Sequence, residues 1–258
     1  MAEPSTTRWS DRVLGVAGFL ACLGALEAAV RLGKVNGKIV PSPTAIAQRT
    51  LDIISSGTFL EPLVTTLSLL FAAYFCACAA AILVGLMMGR FAAMHNLFEP
   101  LVELLRPLPK PALLPLLILV LGLGNAMKLT TVGLAVFFPV LINTIQGVRG
   151  VDPVLINTAR TFGYGRMAIL RKVILPASMP LILVGMRVSL ALGLILVVVT
   201  EMLAGTGGLG FLIVDMQRSF KVLDMYAWVV ILAVTGYTLN ASFVRIERRA
   251  IHWATTGI

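Results

Sequence analysis

The chain has 258 residues, of which 58% are hydrophobic and only 13% are charged, and its mean hydropathy is +0.94. Soluble domains are about 45–50% apolar and about 25% charged, so this composition excludes an ordinary soluble fold and favours a protein embedded in the lipid bilayer. The net charge of +9 does not indicate nucleic-acid binding, because the basic residues punctuate apolar segments and form no patch with interleaved aromatic residues.

Six apolar segments are long enough to cross a bilayer as helices, which takes about 20 mostly apolar residues. We therefore predict an all-α integral membrane protein, with one transmembrane domain over residues 1–258 and its core over residues 61–246. Six spans place both termini on one side, and that side carries the larger share of Lys and Arg, which predicts cytoplasmic termini. The predicted spans are Val13–Val30, Leu63–Gly89, Leu97–Leu121, Met127–Val148, Pro180–Leu203 and Tyr226–Val244.

The second predicted span is rich in small side chains. Small residues let helices approach closely in lipid, where the hydrophobic effect gives helices no reason to associate. This pattern predicts a tightly packed bundle whose neighbours come from the same chain or from a second copy of it. The small residues are Ala72, Ala73, Ala77, Ala79, Ala80, Ala81, Gly85 and Gly89.

Two basic residues, Arg106 and Lys110, lie in the third predicted span. An unpaired Arg or Lys at the centre of a span costs about 2.5–3.5 kcal/mol on a translocon-type scale. Broken helices are tolerated where they line a cavity, so one interpretation is a positive wall of a translocation pathway for an anion. The alternatives are ion pairs with Glu99 or Glu103 one turn away, or snorkelling to lipid headgroups. The same span contains Pro107, Pro109, Pro111 and Pro115.

The segment from Arg149 to Met179, called here the 149–179 loop, is too polar to cross the membrane. Asp152 suits a helix N-cap and Pro153 suits the first helical position, so a short helix is predicted to begin there. Leu155, Ala159 and Phe162 recur at helical spacing and predict an apolar face. Two glycines, Gly163 and Gly165, end this helix.

A second short amphipathic helix is predicted over residues 166–174 of the loop. It is predicted to end at Leu175-Pro176, so that the fifth span begins anew at Pro180. An amphipathic helix outside the bilayer must bury its apolar face. Periodicity alone leaves two alternatives open, a helix resting on the lipid interface and a helix inserted into a groove of a partner protein.

Residues of this loop resemble the cytoplasmic signature of ABC importer permeases, which reads Glu-Ala-Ala, three residues, Gly, nine residues and Ile-x-Leu-Pro. This chain has Asn157-Thr158-Ala159, then Gly163, then Val173-Ile174-Leu175-Pro176, and the spacing fits without a gap. Further fragments are similar, in order, to the branch that imports nitrate, sulfonates and taurine. They are Arg106-Pro107-Leu108-Pro109, Pro115-Leu116, Phe138-Pro139, Asn143-Thr144, Gly147-Val148-Arg149, Gly185-Met186-Arg187, Glu201-Met202, Gly207-Gly208-Leu209-Gly210 and Glu247-Arg248-Arg249.

The resemblance implies a type I ABC importer permease fold in a bacterial inner membrane, in contact with membrane lipid. It implies a transporter subunit that is not an enzyme and holds no cofactor, since a separate cytoplasmic ATPase binds ATP and Mg²⁺ and docks on residues 152–174. A periplasmic or lipid-anchored binding protein delivers the substrate, and two permease copies, expected here as a homodimer, form the pathway. The implied docking residues are Asn157, Thr158, Ala159, Arg160, Phe162 and Gly163.

Two positions depart from the signature. Asn157 stands where the family has Glu, and Thr158 stands where it has the first Ala. Both side chains are small enough to keep the fit of a helix in the ATPase cleft, but the charge of the Glu is lost. The resemblance therefore supports docking by shape and no ion pair at position 157. The branch also implies a small anion as substrate, such as a sulfonate, taurine, nitrate or an organic acid.

Two acidic residues in the predicted spans have several interpretations. Glu201 precedes the glycine-rich segment at the end of the fifth span, which suggests a pathway residue that gates or caps the outer mouth. The alternative for Glu201 is an ion pair with Arg218 or Lys221. Glu27 in the first span is predicted to pair with Arg31, four residues later on the same helix face.

Other function classes that suit six spans are a channel, a secondary carrier and a subunit of a membrane enzyme. A carrier would more often show paired halves with broken helices, which the sequence lacks. A redox subunit would need histidines stacked in facing spans, and only His95 and His252 are present. The Gly205–Gly210 segment lacks the Lys-Ser/Thr of a phosphate-binding loop.

Overall fold

A computed structural model describes residues 7–251, and within that range every regular element is a helix. His252 lies outside the described residues. A 3₁₀ turn, Lys110–Leu113, leads into the fifth helix, and a π turn, Leu170–Ile174, joins the eighth to the ninth. The helices are α1 (Thr7–Arg31), α2 (Pro43–Ser55), α3 (Leu60–Arg90), α4 (Ala92–Leu105), α5 (Leu114–Leu121), α6 (Asn125–Arg149), α7 (Pro153–Thr161), α8 (Arg166–Ile169), α9 (Leu175–Ala204), α10 (Leu209–Arg218) and α11 (Val222–Ala250).

Among the described residues, four helices are long and apolar enough to cross a membrane, and a bent pair could supply a fifth span. These findings confirm an all-α membrane fold and the second, fourth, fifth and sixth predicted spans. The first predicted span lies within α1, which is not among these helices, so its crossing stays a prediction. The spanning helices are Leu60–Arg90, Asn125–Arg149, Arg166–Ala204 and Val222–Ala250, and the bent pair is Ala92–Leu105 with Lys110–Leu121.

The third predicted span is not one helix but two helices bent by 88°. The first helix of the pair ends at Leu105, and the chain between the two helices contains Pro107 and Pro109. Proline has no backbone N–H and its ring clashes with the preceding turn, so two prolines this close together end the helix. The sequence predicted the interruption but not the angle.

The prediction that the second helix of the 149–179 loop ends at Leu175-Pro176 is wrong. Helix runs without a gap from Arg166 to Ala204 and passes through Pro180 as well. The π turn at residues 170–174 lies immediately before Leu175-Pro176. Its wider hydrogen-bond spacing moves the carbonyl that a proline ring would meet in a regular α-helix. One continuous helix therefore includes both the second half of the 149–179 loop and the fifth span.

Two compact units can be distinguished among the described residues, 7–60 with 212–232 and 61–211 with 233–251. In the first, the Glu27 carboxylate accepts a hydrogen bond from Arg31 Nε at 2.7 Å, as predicted, and a second from the Thr44 hydroxyl at 2.8 Å. Arg49 hydrogen-bonds Asp224, and that bond, followed by the charge of Asp224, raises the pKa of the Arg49 guanidinium. The predicted single domain over residues 1–258 stays a prediction.

In the second unit, α3 approaches α6 through the two glycines of a Gly-x-x-x-Gly pair. A Cβ atom at Gly85 would lie 2.7 Å from the Cβ of Thr144, and one at Gly89 would lie 2.6 Å from the Cβ of Val148. Real Cβ atoms do not approach other atoms so closely, so only glycine allows this helix spacing. The prediction that small residues of the second span permit tight packing is confirmed at these two positions.

On its other side, α6 is approached by a glycine of α9. A Cβ atom at Gly185 would lie 2.7 Å from the Cβ of Asn143 and 2.9 Å from the carbonyl oxygen of Pro139. Pro139 lies inside α6, and the side-chain amide of Asn143 donates a hydrogen bond to its carbonyl at 2.8 Å. The close contact fixes this segment of α6, which forms part of the cavity described below.

Candidate functional site

The first helix of the 149–179 loop is built as the sequence predicts. Asp152 caps α7 by accepting a hydrogen bond from the backbone N–H of Val154 at 2.8 Å, and Pro153 is the first residue of the helix. At the other end, Gly163 has φ +77°, a left-handed conformation that suits glycine. A Cβ atom at Gly163 would meet nothing within 4 Å. This glycine is thus required for the turn and faces open space.

The predicted apolar face of α7 is divided between the protein interior and the surface. Ala159 is buried in a cluster with Val148, Val151, Ile169 and Ile174. Leu155 and Phe162, which share its helical spacing, are exposed, as are Val154, Tyr164 and Met167. Ala159, together with the half-buried Ile156, therefore anchors α7 to the protein, and the exposed apolar side chains remain open to a partner. An exposed cluster of large apolar side chains marks an interaction surface.

The six predicted docking residues fall into two groups in the structure. Five of them, Asn157, Thr158, Arg160, Phe162 and Gly163, are exposed, whereas Ala159 is buried and cannot contact a partner directly. The amide oxygen of Asn157 accepts a hydrogen bond from Arg160 Nη1 at 3.3 Å, within the same helix. The loop also contains a cation–π contact, with the Lys172 ammonium 5.0 Å from the Tyr164 ring centre.

A cavity of about 450 Å³, called here the Arg106 cavity, lies beside the Pro139–Asn143 segment of α6. Its polar side chains are Arg106, Lys110 and Asn143. The rest of its wall is apolar and comes from the bent pair, α6 and α9; it includes Ala135, Phe138, Ile142, Leu192 and Leu196. The structure therefore brings together the two basic residues predicted for the pathway and adds Asn143 and Phe138, which the sequence did not single out as site residues.

The two basic residues of the cavity differ in their partners. The Lys110 ammonium donates to three backbone carbonyls, those of Leu105 at 2.7 Å, Leu108 at 3.0 Å and Arg106 at 3.2 Å. It also lies 4.5 Å from the centre of the Phe138 ring. These bonds satisfy carbonyls that the break between the two helices leaves open. Lys110 is therefore a structural cap of the bend.

Arg106 forms an ion pair with the Glu103 carboxylate at 3.7 Å, in accord with one of the alternatives predicted for it. The side chains of Arg106 and Glu103 are 54% and 63% exposed, and exposed pairs of this kind contribute little. Arg106 and Ile142 also line a second cavity of about 180 Å³, together with His95, Glu99 and Gln146. His95 Nε2 lies 3.0 Å from the Glu99 carboxylate.

Glu201, the third predicted pathway residue, lies in neither of these cavities. Its side chain is 2% exposed, and its carboxylate accepts hydrogen bonds from the Thr66 hydroxyl at 2.9 and 3.0 Å and from the Gly210 backbone N–H at 2.9 Å. The Thr66 hydroxyl in turn accepts a bond from the backbone N–H of Leu209 at 2.9 Å. The carboxylate is thus buried and bonded to α3 and to the glycine-rich turn, and the alternative of an ion pair with Arg218 or Lys221 stays a prediction.

The cluster around Glu201 holds the glycine-rich turn against α3 and α9. Gly208 has φ +98°, and a Cβ atom there would overlap the Glu201 carboxylate. Thr66 lies 135 residues from Glu201 in the chain, so the sequence offered no local signal for their contact. Among the described residues, no group of three or more His, Cys, Asp or Glu side chains could hold a metal ion.

The family described as binding-protein-dependent transport system inner membrane component matches residues 81–251 of the chain. A permease protein of Bacillus subtilis, named for aliphatic sulfonates transport, is 32% identical over 86% of this chain and 80% of that protein. The taurine transport system permease protein of Escherichia coli is 31% identical over 85% of this chain and 82% of its own length. The riboflavin transport system permease protein of Chloroflexus aurantiacus is 30% identical, over 88% and 85% respectively.

Chains of two ABC transporters are among the solved structures with the same fold. A chain of the MetNI methionine ABC transporter in an inward-facing conformation has a TM-score of 0.62 and 21% identity, covering 72% of this chain and 92% of that chain. A chain of an amino acid ABC transporter has a TM-score of 0.61 and 18% identity, covering 76% and 94%. At these identities the likeness shows the fold and not the substrate.

Proposed function

Since the chain belongs to the family of binding-protein-dependent transport system inner membrane components, we propose that it forms the membrane pathway of an ATP-driven importer for a small anion. As a member of this family it is a multi-pass permease subunit of an ABC transporter and not an enzyme. The relatives named for aliphatic sulfonates and taurine support an anionic substrate of that kind. Arg106 supports it too, because it places a positive charge in the cavity wall.

The exposed apolar face of α7 is the observation that carries the coupling role. In this proposal, Leu155 and Phe162 insert into a groove of a cytoplasmic ATPase, which binds ATP and Mg²⁺. The 149–179 loop and both termini are then cytoplasmic. The lipid interface is the alternative for this face, and the spacing of Asn157-Thr158-Ala159, Gly163 and Ile174-Leu175-Pro176, which resembles the cytoplasmic signature of ABC importer permeases, favours the ATPase.

The continuous helix from Arg166 to Ala204 supports a mechanical route from the ATPase to the membrane pathway. α7 is anchored to the base of this helix through Ala159, Ile169 and Ile174, which pack in one cluster. A movement of α7 on the ATPase is thereby passed to α9, and α9 forms one wall of the Arg106 cavity through Leu192 and Leu196. Closing of the ATPase would change the shape of this cavity.

The remaining partners follow from the transport system. A periplasmic or lipid-anchored binding protein delivers the substrate, and a second copy of the chain completes the pathway as a homodimer. Large exposed apolar residues on the spans, such as Leu83 and Leu119, fit contact with membrane lipid or with that second copy. Arg106 belongs to the pathway wall, Lys110 supports the bend beside it, and Glu201 holds the glycine-rich turn at the outer mouth.

Replacement of Gly163 by tryptophan tests the coupling role. A Cβ atom at this position meets nothing within 4 Å, so the ring of G163W should project into the space of the ATPase. The strain of a non-glycine residue at φ +77° should stay local to the turn and leave membrane insertion intact. We expect G163W to lose co-purification with the ATPase and at least tenfold of its ATP-driven uptake. Gly57 has φ +72° and equally open surroundings, which makes G57W the matched control with normal ATPase binding. Wild-type ATPase binding and uptake by G163W would refute the docking role.

A further inference from the structure

We propose that the Arg106 cavity is a binding site for organic anions that carry a short apolar chain, and that it discriminates against bare inorganic anions. The proposal rests on the importer function above and adds to it a substrate class and a residue that recognises the charge. Three features of the cavity carry it: one available cation, a largely apolar wall and a volume larger than a small inorganic anion needs.

Arg106 is the available cation. An ammonium group has three N–H donors, and Lys110 uses them on three backbone carbonyls, so it has none left for a ligand. Arg106 presents a guanidinium with five N–H donors, and its ion pair with Glu103 is long and exposed. A planar guanidinium also matches the paired oxygens of a carboxylate or sulfonate. The ligand's anionic group therefore competes with Glu103 for Arg106.

Most of the remaining wall of the cavity is apolar. Phe138, Ile142, Leu192 and Leu196 face a space of about 450 Å³, within the range of small-molecule sites. A bare anion there would give up its hydration and gain polar contacts only with the Arg106 guanidinium and the Asn143 amide. An alkyl chain attached to the anionic group would bury apolar surface against these side chains and improve binding with each added methylene.

Asn143 offers a second polar contact in the cavity wall. One N–H of its side-chain amide donates to the Pro139 carbonyl, which fixes the orientation of the amide. An amide nitrogen carries two N–H donors, so the other one remains for a ligand oxygen. Gly185 packs against Asn143 from α9 and holds it in place. The cavity thus offers a ligand one charged contact, one neutral polar contact and an apolar wall.

The test is a titration of the full-length permease in lipid nanodiscs with methanesulfonate, propanesulfonate and pentanesulfonate, alongside nitrate. Isothermal calorimetry should show an affinity that rises about fourfold per methylene, because each buried CH₂ contributes about 0.8 kcal/mol. Nitrate should bind most weakly of the four. Equal affinities for nitrate and pentanesulfonate would overturn the proposal.

Substitutions of Arg106 and Glu103 distinguish binding in the cavity from partition of the ligand into lipid. R106Q should weaken pentanesulfonate binding by at least tenfold, whereas E103Q should strengthen it because the competing carboxylate is gone. R245Q removes an exposed positive charge from α11 and should leave the affinity unchanged. If R106Q fails to fold, the gain in E103Q still decides the matter. Wild-type affinity in both R106Q and E103Q would assign the binding to lipid and not to the cavity.

Co-purification of the ATPase in the same preparations keeps the two proposals apart. R106Q that retains the ATPase but loses pentanesulfonate supports both the importer function and the cavity site. A wild-type permease that retains the ATPase and binds no alkanesulfonate overturns the cavity site alone. A wild-type permease that binds pentanesulfonate but never retains an ATPase overturns the importer function alone.

Discussion

One apolar helix face of this chain, on α6, is buried, whereas another, on α7, is exposed, although both consist of similar residues. Val132, Val136 and Val140 on α6 are fully buried, whereas Val154 and Phe162, on α7 and at its end, are 65% and 77% exposed. Both patterns are helical repeats of apolar residues, so periodicity predicts each face equally well. Only the structure shows which face the chain covers by itself. An apolar face that the same chain leaves open calls for a partner.

The covered face should be the more sensitive of the two to added volume. We expect G185A to destabilise the protein by about 2–3 kcal/mol, because a Cβ atom there would overlap Asn143 and the Pro139 carbonyl, and overpacking a close helix contact costs about this much. The free energy of unfolding can be measured by denaturant titration in mixed micelles.

Gly133, also on α6, provides the matched control for this substitution. A Cβ atom at Gly133 would lie 4.0 Å from the Cβ of Ala77, an ordinary contact. G133A should leave stability unchanged or raise it by up to about 1 kcal/mol, since alanine favours helix over glycine. Equal effects of G185A and G133A would mean that glycine spacing does not determine how α6 packs against α9.

The open face should show the reverse, a loss of function without a loss of stability. F162A removes a ring that is 77% exposed, so the free energy of unfolding should not change. ATPase co-purification and ATP-driven uptake should fall about tenfold, because aromatic anchors carry much of the binding energy of protein interfaces.

Leu119 on α5 is 83% exposed and serves as the control for apolar truncation outside the 149–179 loop. L119A should keep its ATPase. If F162A lowers stability and leaves ATPase binding intact, the exposed ring has a structural role, and the contrast between the two faces does not hold.

Features set by residues a few positions apart could be predicted from the sequence, whereas contacts between distant segments could not. Local signals were sufficient for the Asp152 cap, the Gly163 turn and the ion pair of Glu27 with Arg31, all set within a few residues. Contacts between distant segments had no such signal, and the bond of Thr66 to Glu201 is the clearest case.

The prolines and Lys110 were recognised in the sequence, but their effects depended on the structure around them. Prolines predicted a break both at residues 107–109 and at Leu175-Pro176, but only the first pair ends a helix, because a π turn accommodates the second. Lys110 was predicted to line a pathway, and it does line the cavity, yet its donors cap the bend. The pattern of residues gave the position of the charge but not its bonding partners.

The smallest expected effect concerns the residue at which α7 departs from the family signature. Asn157 is exposed and hydrogen-bonded to Arg160 within the helix, so N157E would place a carboxylate beside that guanidinium at the surface. Exposed ion pairs contribute at most about 1 kcal/mol and are screened by salt. We therefore expect N157E to change ATPase affinity by no more than about threefold, and N157Q, which has the same length without the charge, to behave like the wild type. ATPase binding measured at low and high salt separates the two outcomes. A tenfold gain in N157E that disappears in salt would show that the ATPase offers a positive charge at this position. The open face of α7 would then be recognised by charge as well as by shape, and Asn157 would mark a coupling contact that this chain has weakened.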